Sequence, residues 1–467
     1  MKIKIAQIRL KTADFDFNLK NIIDNIDEKA DLMIFPRFDA EDTGCKSLVL
    51  DEDFQKSQTE FYENLAKNNF SCAILAGDIL IRNGQTEFSS DGFYEISGVK
   101  IFVSDTFIED VDCDLYILSK NRYYAKNTFG DFVDSIETTT DFIYINSIGI
   151  SDCNVYSGMS FGKNKNNELT FIAPLCREYV EYIDFSNKIE YFESAYEKQI
   201  VDVTTFALKE YLENTGFNKV ILGLSGGIDS ALTAALACKA IGAENVLGVM
   251  MPSMYSSEGS ITDSVKLADN LGMSVVKEPI ESLFDEFMKE REHLGDLSEE
   301  NLQARLRGLI LMFYSNRENR LLLSTGNKSE SAMGFGTLYG DLAGGYNMIV
   351  DLTKTEVYKV SNYLNKNGEI IPQNIIDKAP SAELHPNQKD SDRLPDYAIL
   401  DDIIEMYLSE HKSVDEISEK YDRNIVKEVV RKIYRMQFKR YQGCLGIRLS
   451  EHSFLSGVDL PVVQRYY

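Results

Sequence analysis

Apolar and polar residues alternate through positions 2–7, the period of a strand with one buried face. Short apolar runs at 32–35, 73–77, 142–146 and 169–173 predict further strands. Apolar spacings of three and four at 21–29 and 57–68 predict helices. A long amphipathic helix is expected over 189–217, ending at Thr215 and Gly216, where glycine suits a helix C-cap. The polar stretch before it is the expected domain boundary, giving domains 1–185 and 186–467. From 218 to about 365 the pattern alternates. Strands are predicted at 219–224, 246–252, 274–280 and 321–326, with helices at 230–243, 260–273 and 305–316. Such βαβα patterning predicts an α/β, doubly wound parallel sheet with right-handed crossovers. Beyond 370, a loop rich in proline and acidic residues precedes two or three helices.

Composition narrows the class. The 467 residues suggest two or three domains, and 44% hydrophobic with 26% charged is ordinary for a globular chain. The net charge of −25 argues against a nucleic-acid or anionic-membrane binder, while leaving room for a local basic pocket around an anionic small molecule. No apolar run reaches 18 residues, and the N-terminus lacks the apolar core of a signal peptide, so a cytoplasmic protein with no membrane partner is expected. Seven scattered cysteines, never in a CxxC pair, read as reduced thiols. Four histidines, all beyond position 290, leave little for a His-rich metal site.

The strongest chemical signal is GLSGGIDS, comprising Gly223, Leu224, Ser225, Gly226, Gly227, Ile228, Asp229 and Ser230. It lies between a predicted strand and a predicted helix. A glycine-rich turn there points backbone N–H groups at one anion, and the helix start adds a favourable dipole. Asp229 is an anion within an anion cradle, which makes sense with a cation such as Mg²⁺ between it and the phosphate. No Gly-Lys-Ser/Thr follows, so this is not a Walker A loop. The motif resembles the pyrophosphate loop of the ATP pyrophosphatase superfamily, whose members cleave ATP between the α- and β-phosphates.

Further motifs follow in order: ENLQARLR (300–307), LSTGNKSESAMGFGTLYGD (323–341), KTEVY (354–358), KAPSAEL (378–384), DRLPDYAILD (392–401) and KRYQ (439–442). Together they resemble NAD synthetases, in particular the two-domain, glutamine-dependent branch. The resemblance implies that ATP and Mg²⁺ activate the carboxylate of deamido-NAD, that ammonia displaces AMP, and that pyrophosphate is released. It implies Asp229 and Glu330 as Mg²⁺ ligands, and Thr325, Lys354 and Ser381 at ATP. Asn301, Arg305, Glu330 and Lys439 are implied near deamido-NAD, with Asp229, Lys354 and Lys439 as the catalytic set. It also implies a homodimer or larger assembly. Leu338 departs from the lysine of many single-domain members. A GMP synthetase would lack GNKSE and PSAEL in this order, a tRNA-thiolating enzyme would carry paired cysteines and a basic face, and a non-catalytic assembly scaffold would not need the intact motifs.

The N-terminal stretches 4–22, 32–36, 72–77 and 142–161 resemble nitrilase-superfamily domains. Those glutaminases use a Glu base, a Lys and a Cys nucleophile. Here Arg37 stands where the Glu follows Phe-Pro, Glu41 is four residues off, and Lys120 falls near the Lys position. The segment that carries the nucleophile is missing, and Cys153, Cys45 and Cys72 lie elsewhere. The domain therefore reads as a degenerate nitrilase fold, with ammonia as the direct nitrogen donor. The alternative is a glutamine-dependent enzyme with a rebuilt or partner-supplied glutaminase site.

Overall fold

In the computed structural model, which describes residues 1–38, 44–385 and 388–466, the alternating start of the chain forms the strand Ile3–Gln7. The chain divides into two units, Met1–Val203 and Thr204–Tyr467.

The first unit holds two six-stranded sheets. One runs Tyr179–Tyr182, Ile3–Gln7, Leu32–Phe35, Ala73–Ala76, Ile79–Arg82 and Gln85–Phe88. The other runs Leu169–Ile172, Phe161–Lys163, Asp141–Ile145, Leu115–Ser119, Val99–Ser104 and Phe93–Ile96. Their inner faces meet in one core, where Ile5, Ile34 and Leu75 join Ile117, Ile143 and Ile145. Helices Phe15–Asp24 and Glu52–Ala66 cover the outside of the first sheet through Ile22, Phe61 and Leu65. Helix Phe129–Ser135 covers the second through Val133. The result is the helix–sheet–sheet–helix sandwich expected of a nitrilase-like domain. Strands Leu115–Ser119 and Asp141–Ile145 are hydrogen-bonded parallel neighbours, so no strand lies between the Lys120 region and the 142–161 motif.

The second unit is built on a five-stranded parallel sheet in the order Ser274–Lys277, Val246–Met250, Val220–Gly223, Leu321–Ser324, Tyr346–Asn347. Read by chain position the order is third, second, first, fourth, fifth. The direction of winding reverses between Val220–Gly223 and Leu321–Ser324, and the carboxyl ends of strands at such a switch point form the binding crevice of doubly wound sheets. Helices Tyr397–Leu408 and Arg423–Arg435 pack on Ala332 and Met333 in a separate apolar cluster.

Several helices differ in extent from expectation. Helix Tyr196–Thr215 starts later than predicted, because Ile189 N–H still bonds the Leu169 carbonyl at 2.9 Å and Tyr191 packs on Phe129. Helix Leu297–Glu318 starts earlier, capped by Asp296, and Glu52–Ala66 is capped by Asp51. Polar caps fall outside an apolar period, so periodicity undercounts the first turn.

Candidate active site

The loop that leaves strand Val220–Gly223 makes the floor of a cavity of about 500 Å³ in the second unit. Gly226 adopts φ +75°, and a Cβ there would meet the Ser260 carbonyl oxygen at 2.5 Å, so glycine is required. Gly227 caps helix Ile228–Ile241 without a side-chain bond, which leaves first-turn N–H groups available to a ligand. Ser225 and Ser230 are held in place: their hydroxyls lie 3.1 Å apart, and Gly227 N–H donates to Ser225 Oγ at 3.2 Å.

Asp229 sits in the first turn of that helix, facing two other elements. Asn327 Nδ2 donates to its Oδ1 at 2.9 Å, and Lys354 Nζ donates to its Oδ2 at 2.5 Å. Lys354 Nζ also lies 3.3 Å from Glu330 Oε1. Local chain chemistry positions each partner. Asn327 and Glu330 form the capping box of helix Lys328–Met333, and Thr353 and Glu356 that of helix Lys354–Leu364. Buried Asp401 joins the two: it accepts from Ser329 Oγ and from Thr355 N–H at 2.8 Å, while Lys354 N–H donates to Ser329 Oγ at 2.9 Å. Sequence reasoning assigned no role to Asp401 or Asn327, although both stand in the quoted motifs.

The electrostatics are strained. Burial, and then the nearby Asp229 charge, raise the Glu330 carboxyl well above the usual carboxylate range, with Lys354 opposing. Burial acts to lower the Lys354 ammonium, but Asp229 and Glu330 outweigh it and hold it raised. Two carboxylates converging on one cation match a site that binds Mg²⁺ through one or two carboxylates and completes it with phosphate oxygens. Among the described residues no cluster of three or more His, Cys, Asp or Glu stands ready to hold a metal. Asp229 and Glu330 would hold the ion together with a bound phosphate.

The structure gathers most of the sequence candidates here. The loop residues, Thr325, Glu330, Lys354, Ser381, Asn301 and Lys439 all line the cavity. Ser381 Oγ donates to the Gln388 carbonyl at 2.6 Å, and Asn301 Oδ1 accepts from Thr337 Oγ1 at 2.8 Å. Lys439 Nζ caps the end of helix Lys328–Met333, donating to the carbonyls of Gly334 and Gly336, both at 2.8 Å. Arg305 is not brought in: it is exposed, its Nε donates to the Leu338 carbonyl at 3.2 Å, and it does not line the cavity.

The family model for NAD synthase matches residues 200–443, just over half of the chain and the whole of this site. The chain belongs to the NAD synthase family. It is 38% identical over 339 residues to the glutamine-dependent NAD(+) synthetase of Synechocystis sp., covering 70% of this chain and 61% of that protein. It is 42% identical over 278 residues to the Thermotoga maritima protein of the same name, covering 58% and 48%. The chain thus matches about half to two thirds of the length of these curated relatives. A solved structure of the glutamine-dependent NAD+ synthetase of Acinetobacter baumannii, in complex with ADP, superimposes with TM-score 0.73 at 27% identity, covering 99% of both chains. The Cytophaga hutchinsonii protein shares the fold, with TM-score 0.84 at 18% identity and coverage of 99% and 98%.

In the first unit of this NAD synthase family member, Arg37 Nη2 pairs with Asp78 Oδ2 at 3.2 Å, and Asn121 Nδ2 holds the Arg37 carbonyl at 3.0 Å. Glu41 lies outside the described residues. Cys153 and Cys45 are buried. Cys72 is also buried, and burial pushes its thiol up, away from the reactive thiolate. Lys163, which the sequence did not single out, is buried with Nζ donating to the Ile136 carbonyl at 2.6 Å. No helix among the described residues is long and apolar enough to cross a membrane.

Proposed function

We propose that the chain amidates deamido-NAD to NAD at the expense of ATP, releasing AMP and pyrophosphate. The observation that carries this is the phosphate loop with Asp229, Lys354 and Glu330 converging in one cavity of a NAD synthase family member. The nicotinate carboxylate of deamido-NAD attacks the α-phosphorus of ATP, pyrophosphate leaves, and ammonia then displaces AMP from the acyl adenylate. The loop N–H groups and the Lys354 ammonium stabilise charge on the phosphates, in a site where preorganised donors act most strongly. Mg²⁺, when bound, adds neutralising charge there. The ADP bound in the Acinetobacter baumannii structure fits the same reading. ADP and orthophosphate as products would overturn it.

Ammonia is the species consumed at the second unit, whatever its source. We read free ammonia as the donor because Arg37 stands where the general base of a nitrilase-type site belongs, and a guanidinium takes no proton. The names of the relatives support the second reading, glutamine, better than the first. That reading requires a glutaminase site rebuilt from other residues or supplied by a partner. Glutamine free of ammonium, with NAD and glutamate measured together, separates the two. Turnover with ammonium and none with ammonium-free glutamine supports the first, and stoichiometric glutamate release supports the second.

A homodimer or larger assembly belongs to the same proposal. Helix Leu297–Glu318 exposes Leu309, Met312 and Phe313 at 62%, 39% and 54%, spaced along one face, and sedimentation tests it.

A further inference from the structure

Five cations line the cavity: Arg307, Lys354, Lys378, Arg393 and Lys439. Four have close protein partners. Lys354 is held by Asp229 and Glu330, Lys378 by Glu383 at 2.7 Å, Arg393 by Glu300 with two bonds of 2.9 Å, and Lys439 by two carbonyls. Arg307 differs. Its Nε donates to the Met251 carbonyl at 3.0 Å, and among the described residues its two terminal nitrogens have no partner. Half-buried and with no carboxylate within ion-pair distance among the described residues, this guanidinium is open to a ligand anion.

The surroundings place this guanidinium near the start of the phosphate loop. Strand register sets Gly223 opposite Val249, and Met251 follows two residues further along. Leu311, one helical turn beyond Arg307, lies 3.4 Å from where a Cβ on Gly223 would stand, and Met251 Cε lies 3.2 Å from the same point. The face of helix Leu297–Glu318 that carries Arg307 therefore packs against the residue that opens the loop. Arg305, about 200° round the helix at 100° per residue, is turned away. Burial lowers the Arg307 guanidinium to about 10, opposed by Asp341 and Glu383, so it stays charged at neutral pH.

We propose that Arg307 is a phosphate-binding residue: its free fork engages a phosphate of the ATP seated on Gly223–Ser230, with Nε fixed on the Met251 carbonyl. This rests on the reading of the cavity as an ATP site. The test titrates the full chain calorimetrically with ATP in excess Mg²⁺, and separately with deamido-NAD, for the wild type, Arg307→Gln and Arg307→Lys, beside the melting temperature of each ligand-free protein. A lost charge-assisted bidentate contact is expected to weaken ATP binding about 10- to 100-fold in Arg307→Gln, with partial recovery in Arg307→Lys. Deamido-NAD affinity and the melting temperatures should hold. An unchanged ATP affinity overturns the proposal, as does a loss confined to deamido-NAD, or a lowered melting temperature with unaltered affinity, which would mark a purely structural tie to Met251. Should Arg307→Gln fail to fold, Arg307→Lys decides, since a compact ammonium cannot reproduce the fork. Failure of the wild type to bind ATP at all overturns the ATP-site reading itself.

Discussion

Gln7 in the first unit and the cavity residues of the second show two opposite treatments of polar groups near strand ends. In the first, Gln7 is fully buried and spends its whole amide: Nε2 donates to the carbonyls of Pro174 and Arg177, and Oε1 accepts from the N–H and the hydroxyl of Ser160. Asn146, Asn121 and Arg37 extend this network, and the cavity beside it measures about 30 Å³. In the second unit the cavity is about 500 Å³, burial and Asp229 raise the Glu330 carboxyl out of its usual range, and among the described residues two Arg307 nitrogens have no partner. Networks that satisfy themselves build structure. Groups held ready at a stability cost mark where a ligand completes the site.

The comparison breaks most sharply at Asp229. Asp229→Asn keeps the shape of the side chain and removes the charge that Lys354 faces. Loss of one preorganised charge contact should cost on the order of 10² to 10³ in the rate of NAD formation. Thermal unfolding should stay near wild type, and near-normal turnover in a well-folded variant would remove Asp229 from the phosphate chemistry.

Next come matched glycines. Gly226→Ala forces a side chain into φ +75° against the Ser260 backbone, and Gly158→Ala does so at φ +72° against the Gln7 amide, 2.4 Å away. The strained dihedral alone costs roughly 1–2 kcal/mol. In the loop this should appear as about tenfold or more weaker ATP binding. In the sandwich, where a buried amide loses its bonds, it should appear as about 1–3 kcal/mol of lost stability with ammonium-driven turnover preserved. Calorimetry and denaturant titration on both variants read the contrast. Equal effects on ATP binding would erase the distinction between the units.

Much of this site was legible in the sequence where the chemistry is local. The loop at 223–230 carries strand, turn, hydroxyls and helix start within eight residues, and the structure places all eight on the cavity. The parallel sheet followed from alternating periods. What escaped was long-range pairing. The motifs put Lys354 at ATP, yet its direct pairing with Asp229, 125 residues upstream, belongs to the fold. Asp401 ends an ordinary helical motif, and only the fold shows it holding the starts of two other helices. Arg305 and Arg307 are two residues apart and look equivalent, but helix rotation turns one to solvent and the other to the cavity. That the sheet stays six-stranded, with Leu115–Ser119 paired directly to Asp141–Ile145, required the structure.

The smallest expected effect concerns the strap at 378–384, which lines the cavity and is tied to the helix Glu258–Leu271. Burial pushes the Glu383 carboxyl up, but the Lys378 ammonium and the hydroxyls of Ser260 and Ser257 outweigh it and hold it below the usual range. Ser260 Oγ donates to Glu383 at 2.8 Å, and Ser257 donates through Oγ at 2.9 Å and through N–H at 3.2 Å. A carboxyl whose folded pKa is depressed contributes stability that is fully present above its unfolded value and lost as pH falls through the folded one. The strap should therefore be held at neutral pH and loosen below the ordinary glutamate pKa. Hydrogen exchange at Ser257 and Glu383 should report it, as amide protection lost in acid before the parallel sheet opens. Glu383→Gln, neutral at every pH, should show the loosened exchange already at pH 7 and no further step in acid. A variant that keeps the wild-type acid step would assign the loosening to another carboxylate. In the first unit the Gln7 amide has no proton to gain, so its protection should not change over the same range.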